Sequence, residues 1–145
     1  ELLLVYAARV QHVRMVIEPA LERGDWVISD RFSDATLAYQ GAGRGMDVPM
    51  ILALHELMLG GFAPDLTLLL DLPVDAGMQR MHARGDPDRF EIENDAFFER
   101  IRACYLELAR EHPQRFRIID AGRVLVDVER SVRVVMQDFL DLQNG

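Results

Sequence analysis

Asp30 and Arg31 close a short apolar run, Trp26-Val27-Ile28-Ser29, and put a carboxylate beside a guanidinium. That pair suits phosphoryl transfer. The carboxylate can hold Mg2+ directly or through water, and the guanidinium can clamp phosphate oxygens. The same pair also makes an ordinary loop salt bridge, so the residues that follow decide its weight. Thr36, Tyr39 and Gln40 stand three and one apart, and on a helical turn they can face one pocket. Gln40 offers a donor and an acceptor, which matches a pyrimidine edge, and the Thr36 hydroxyl can meet another edge atom. Tyr39 can pack under a sugar and block a 2′-hydroxyl. The plainer alternative has Thr36 bonding to its own backbone and Tyr39 in the core.

Arg9 is the next anomaly. At roughly 100° per residue, Leu2, Tyr6, Val13, Val16 and Ala20 fall on one helical stripe, and Arg9 lies in its middle. An unpaired charge there is costly. Arg9 therefore snorkels, pairs with a core carboxylate, or faces a cleft and holds an anion. Further along, Arg80, Arg84 and Arg89 surround Gly85-Asp86-Pro87-Asp88, a loop with turn chemistry. A mobile loop carrying arginines can close over a triphosphate, although Arg80 and Arg84 also suit a solvated helix end. Arg102 and Tyr105 lie three apart on the next helix and can reach the same cleft, or equally stand as a helix-surface Arg and a core Tyr.

Alternating elements position these groups. Residues 1–23 read as a helix that Pro19 kinks or restarts and Gly24 ends. Trp26–Ser29 reads as a strand. Asp47 is a candidate N-cap for a helix to about Leu59, stopped by Gly60-Gly61. Leu66–Leu72 reads as a strand buried on both faces, followed by a helix over about 75–84. A helix from Asn94 or Asp95 to about Glu111, a strand over Phe116–Asp120 and a helix over about 127–142 complete the order. Strands alternating with helices predict an α/β fold, a doubly wound parallel sheet with flanking helices.

Composition narrows the classes. With a net charge of −8 and a pI near 4.9, the chain lacks the basic face of a general nucleic-acid binder. The single cysteine, Cys104, allows no internal disulfide and fits a reducing cytoplasm. The histidines are scattered without metal-ligand spacing, no apolar run reaches the ~18 residues of a membrane span, and no signal peptide is visible.

Asp30-Arg31-Phe32, Thr36-Leu37-Ala38-Tyr39-Gln40-Gly41 and Gly43-Arg44-Gly45 together resemble the Asp-Arg-aromatic motif and nucleobase segment of bacterial thymidylate kinases. Tyr6-Ala7-Ala8-Arg9-Val10-Gln11 resembles the helix whose Arg contacts the nucleotide's phosphate or base. Gln79 to Gly85 with Asp88-Arg89 resembles the family's arginine-bearing lid, about residues 82–93. The resemblance runs over essentially all of 1–145 and implies one partial kinase domain of the P-loop, nucleoside monophosphate kinase type. It implies transfer of a phosphoryl group from ATP to dTMP with Mg2+, in a cytoplasmic homodimer with no nucleic-acid or membrane partner. By resemblance, Asp30 is the metal and catalytic carboxylate, and Arg31, Arg84 and Arg89 are the catalytic arginines. Arg9, Thr36, Tyr39, Gln40 and Tyr105 would bind substrate, with Val5 where many members carry a thymine-stacking Phe. Arg80, Ala121 and Gly122 would lie at the ATP, the last two through backbone contacts near adenine.

No Gly-x-x-x-x-Gly-Lys-Ser/Thr occurs in these residues. By resemblance that loop and its strand belong upstream of Glu1, between the strands at 26–29 and 66–72. The chain reads as an N-terminally truncated fragment, and these residues alone are expected to be inactive. The alternatives are a deoxynucleoside kinase of related fold and a non-catalytic nucleotide-binding module without the loop.

Overall fold

Leu2 and Tyr6 sit one helical turn apart, and their burial fixes the first helix. The computed structural model describes residues 1–83 and 94–143, which divide into two units, Glu1–Ala63 and Pro64–Gly145.

The first unit is helical. Helix α1 (Leu2–His12) packs Leu2 and Tyr6 against Ile51 of α4 (Val48–Leu59), and Leu37, Met46, Leu54, Met58 and Leu59 surround them. The Tyr6 hydroxyl donates to the Ile51 carbonyl at 3.4 Å. Helix α4 begins as the sequence predicts: the Asp47 carboxylate accepts from the Met50 N–H at 3.1 Å. It ends at Gly60, whose φ of 56° is left-handed.

Two expectations for this unit need correction. The buried stripe slips by one position: Ile17 is 4% exposed and Val16 is 54% exposed. Between α1 and α2 (Glu18–Glu22), residues Val13–Ile17 wind as a π-helix. The extra residue in that turn rotates the side chains that follow. Pro19 then sits in the first turn of α2, where its missing N–H costs little. The strand expected over Trp26–Ser29 does not form; these residues belong to no helix or strand, and Ile28 is 95% exposed. A strand needs a hydrogen-bonding neighbour, and the strands among the described residues, both in the second unit, pair only with each other.

In the second unit, β1 (Thr67–Asp71) and β2 (Phe116–Asp120) form a parallel ladder from Thr67 opposite Phe116 to Asp71 opposite Asp120. A parallel pair requires a crossover, supplied by α5 (Val74–His82) and α6 (Asp95–Glu111). The side chain of Asn94 caps α6 by accepting from the Phe97 N–H at 2.9 Å. Helix α7 (Leu125–Gln143) packs against β2. The sheet is α/β and parallel, as expected, but β1 is not buried on both faces. Leu70 is 55% exposed, because a two-stranded ladder leaves each strand with an open edge.

Candidate active site

In residues 1–63 the site gathers around Arg9. Its guanidinium carbon lies 5.1 Å from the Tyr6 ring centre and 5.7 Å from that of Phe32. Its Nη2 donates to the Phe32 carbonyl at 3.4 Å, while Nη1 is buried with no partner among the described residues. Burial pulls the Arg9 pKa down from its ordinary value, and the charges of Tyr6 and Asp34 partly restore it. The guanidinium stays charged throughout the accessible range. Arg9 is thus neither snorkelling freely nor fully satisfied.

Phe32 also begins the next piece of the site. Helix α3 (Ser33–Thr36) starts at the following residue and buries Asp34 and Thr36 at 6% and 1% exposure. The Thr36 Oγ1 has no hydrogen-bond partner among the described residues. Leaving a buried hydroxyl unmade costs about 1–3 kcal/mol, so nothing within the described residues explains its placement as packing alone. After Thr36 the chain widens into a second π-helix, Leu37–Gly43, which carries the half-buried Tyr39 and Gln40. The α-turn assumed from their spacing is therefore a π-turn, a winding that recurs at functional sites.

A strand end does not place Asp30 and Arg31. Arg31 has φ 63°, the only positive φ outside glycine among the described residues. A left-handed non-glycine residue costs about 1–2 kcal/mol. The Ser29 hydroxyl donates to the Arg31 carbonyl at 3.0 Å, and the guanidinium stacks 4.8 Å from the Tyr39 ring centre. The left-handed turn at Arg31 thus accompanies its stacking on Tyr39. Asp30 is exposed beside it. No group of three or more His, Cys, Asp or Glu able to hold a metal occurs among the described residues. A lone exposed carboxylate still fits Mg2+, which takes one or two carboxylates and completes its shell with phosphate oxygens and water.

Val5 is half-buried on α1. Its neighbour Tyr6 cannot serve as a base-stacking ring in this conformation. It is 1% exposed, bonded to Ile51, and its ring meets the Arg9 guanidinium and the edge of His55.

In residues 64–145 the polar groups bind one another. Arg102, which the sequence leaves between a cleft residue and a helix-surface one, donates from Nε and Nη2 to the Asp71 carboxylate at 2.7 and 3.0 Å. Tyr105 is half-buried on the same helix. Arg80 is exposed, yet its Nη1 donates to the Ala121 carbonyl at 2.8 Å and its Nη2 to that of Gly122 at 3.4 Å. Arg80, Ala121 and Gly122 are thus brought together. Arg84, Arg89 and residues 84–93 of the expected lid lie outside the described residues.

Asp34 and Asp71 escaped the sequence reading. Asp71 left a signal: it is the one charge in the apolar run Leu66–Leu72, two residues before Pro73.

A family profile described as thymidylate kinase matches residues 1–132. The thymidylate kinase of Methylococcus capsulatus is 55% identical over 97% of this chain and 67% of its own length. That of Pseudomonas syringae pv. syringae is 52% identical over the whole chain and 69% of its own length. The crystal structure of thymidylate kinase from Ehrlichia chaffeensis superposes with a TM-score of 0.71 at 30% identity, over 94% of this chain and 63% of that one. The chain thus spans about two thirds of the length of these proteins. The fold is that of an α/β nucleoside monophosphate kinase, and the chain belongs to the thymidylate kinase family.

Proposed function

We propose that the full-length protein transfers the γ-phosphoryl group of ATP to dTMP, giving ADP and dTDP, with Mg2+. The observation that carries this reading is the pair of unsatisfied buried groups, Arg9 Nη1 and Thr36 Oγ1, on the segments that the family resemblance assigns to the acceptor nucleotide. A pyrimidine nucleotide offers the acceptors and donors these groups lack. Arg9 holds dTMP, and Thr36 and Gln40 read the thymine edge. Val5 lies at the base, and Tyr39, covered by Arg31, lines the sugar side. Arg31 bridges the donor and acceptor phosphates and stabilises the charge that develops on the transferred group. Asp30 would hold Mg2+, which neutralises phosphate charge when bound. Arg80, Ala121 and Gly122 contribute to the adenine end of ATP, and Tyr105 is assigned to dTMP by family resemblance alone. Arg84 and Arg89 act from the lid, about residues 82–93.

The proposal includes a homodimer at work in the cytoplasm, both by family resemblance. No described helix is long and apolar enough to cross a membrane.

The test is ADP release by the purified full-length protein with ATP, Mg2+ and either dTMP or thymidine. Turnover that depends on dTMP and is absent with thymidine is expected. Turnover with thymidine alone would identify a deoxynucleoside kinase, and nucleotide binding without turnover would identify a non-catalytic module. The 145 residues by themselves, which hold no phosphate-cradling loop, are expected to form no dTDP.

A further inference from the structure

We propose that Asp71 and Arg102 are positioning residues for the donor nucleotide: they brace the end of β1, and through it the turn at Ala121–Gly122. This rests on the reading of that turn as the adenine end of the site.

The turn itself is bonded throughout. Its four backbone polar groups all have protein partners. The Ala121 N–H donates to the Asp71 carbonyl at 2.8 Å, and the Gly122 N–H to the Asp120 carboxylate at 2.8 Å. The carbonyls of Ala121 and Gly122 accept from Arg80. A Cβ on residue 122 would lie 3.0 Å from the Asp120 Oδ1, so only glycine turns here without displacing that carboxylate. The turn is therefore held in one shape, and its position depends on what holds Asp71.

Arg102 holds it. Both carboxylate oxygens of Asp71 accept from the guanidinium fork, with side-chain exposures of 21% for Asp71 and 31% for Arg102. A fully solvated ion pair contributes little. This one is two-pronged and partly screened from water, so it fixes orientation as well as distance. A ring of contacts results: α6 grips the Asp71 side chain, the Asp71 backbone grips Ala121, and α5 grips the two carbonyls through Arg80. Asp71 pairs with Asp120 in the ladder, so movement at the end of β1 passes directly into the residues before the turn. Displacing a nucleotide-contacting backbone by about an ångström is enough to weaken productive binding.

The experiment uses the full-length enzyme with Asp71→Asn, Arg102→Gln and the double variant. It reads KM for ATP, GTP and dTMP, with a thermal melt of each protein. The expected result is a rise in the KM for ATP of about 10-fold in each single variant, the size of a direct pair's coupling. The KM for dTMP should stay within about 2-fold, the preference for ATP over GTP should narrow, and the double variant should be no worse than the worse single. Should Arg102→Gln melt below the assay temperature, Arg102→Lys keeps the charge without the fork and is read the same way. An unchanged KM for ATP, additive single effects, or KM values for ATP and dTMP rising in parallel would each overturn the positioning role. A wild-type enzyme without dTMP-dependent turnover would instead remove the reading on which it stands.

Discussion

The two units of this chain treat the polar side chains of the candidate site in opposite ways. In residues 64–145 Asp71 meets Arg102 and Arg80 meets the Ala121 and Gly122 carbonyls, so the groups are satisfied before any ligand arrives. In residues 1–63 the site carries costs: a buried guanidinium nitrogen and a buried hydroxyl without partners among the described residues, and an arginine in left-handed backbone. Folding tolerates such costs only where something else repays them. On the function proposed above, the acceptor nucleotide would complete the bonding of the first unit, while the described groups of the second already bond one another.

Substitutions in the full-length kinase read the two units separately. The largest effect is expected at Arg31, which sits on the strained side. Arg31→Ala should lower kcat about 10²–10³-fold, the loss typical of one electrostatic stabiliser in the transition state; steady-state kinetics at saturating ATP and dTMP measure it. Arg9→Ala should raise the KM for dTMP about 10- to 100-fold, the value of a hydrogen bond to a charged group, with a smaller change in the KM for ATP. An unchanged KM for dTMP would make Arg9 a core residue. The base edge gives a third comparison. Cytosine exchanges an O4 acceptor for an amino donor and loses the N3 proton, so one buried group goes unpaired. The kcat/KM ratio of dTMP to dCMP should be about 10–100, and equal values would remove Thr36 and Gln40 from the pocket.

The smallest effect belongs to the preassembled unit. The hydrogen bonds from Arg102 hold the Asp71 carboxyl below its ordinary range, more than burial raises it. Its folded pKa is thus below the unfolded value of about 3.9. The stability this contributes is present above that value and is lost as pH falls through the depressed folded pKa. Asp71→Asn should lower Tm by a few degrees at pH 7, a change of about 1 kcal/mol, and the difference from wild type should shrink below about pH 4. A difference that is constant with pH would mean that the pair's charge does not contribute.

The sequence announced elements through their punctuation. Asp47 and Asn94 cap α4 and α6 as their types suggest, Gly60 and Gly24 take positive φ, and the apolar runs at 66–72 and 116–120 pair in parallel. What failed depends on neighbours rather than on local chemistry. Trp26–Ser29 has the composition of a strand but no described strand to pair with, and the π-turns that move Ile17 into the core and carry Tyr39 and Gln40 follow no simple spacing rule. Arg9 was visible as a charge on an apolar stripe. Its orphaned nitrogen was not, because Phe32, which supplies its one carbonyl, is 23 residues away in sequence. The Asp71–Arg102 pair spans 31 residues and is likewise a product of the crossover.

Thr36→Val separates folding from binding by sign. Valine keeps the side chain's shape and removes the hydroxyl that has no partner. If that hydroxyl is kept for the nucleotide, the variant's Tm without ligand should equal or exceed wild type, and its calorimetric Kd for dTMP should rise about 5- to 100-fold. A lower Tm together with unchanged dTMP affinity would contradict the account and make Thr36 part of the scaffold.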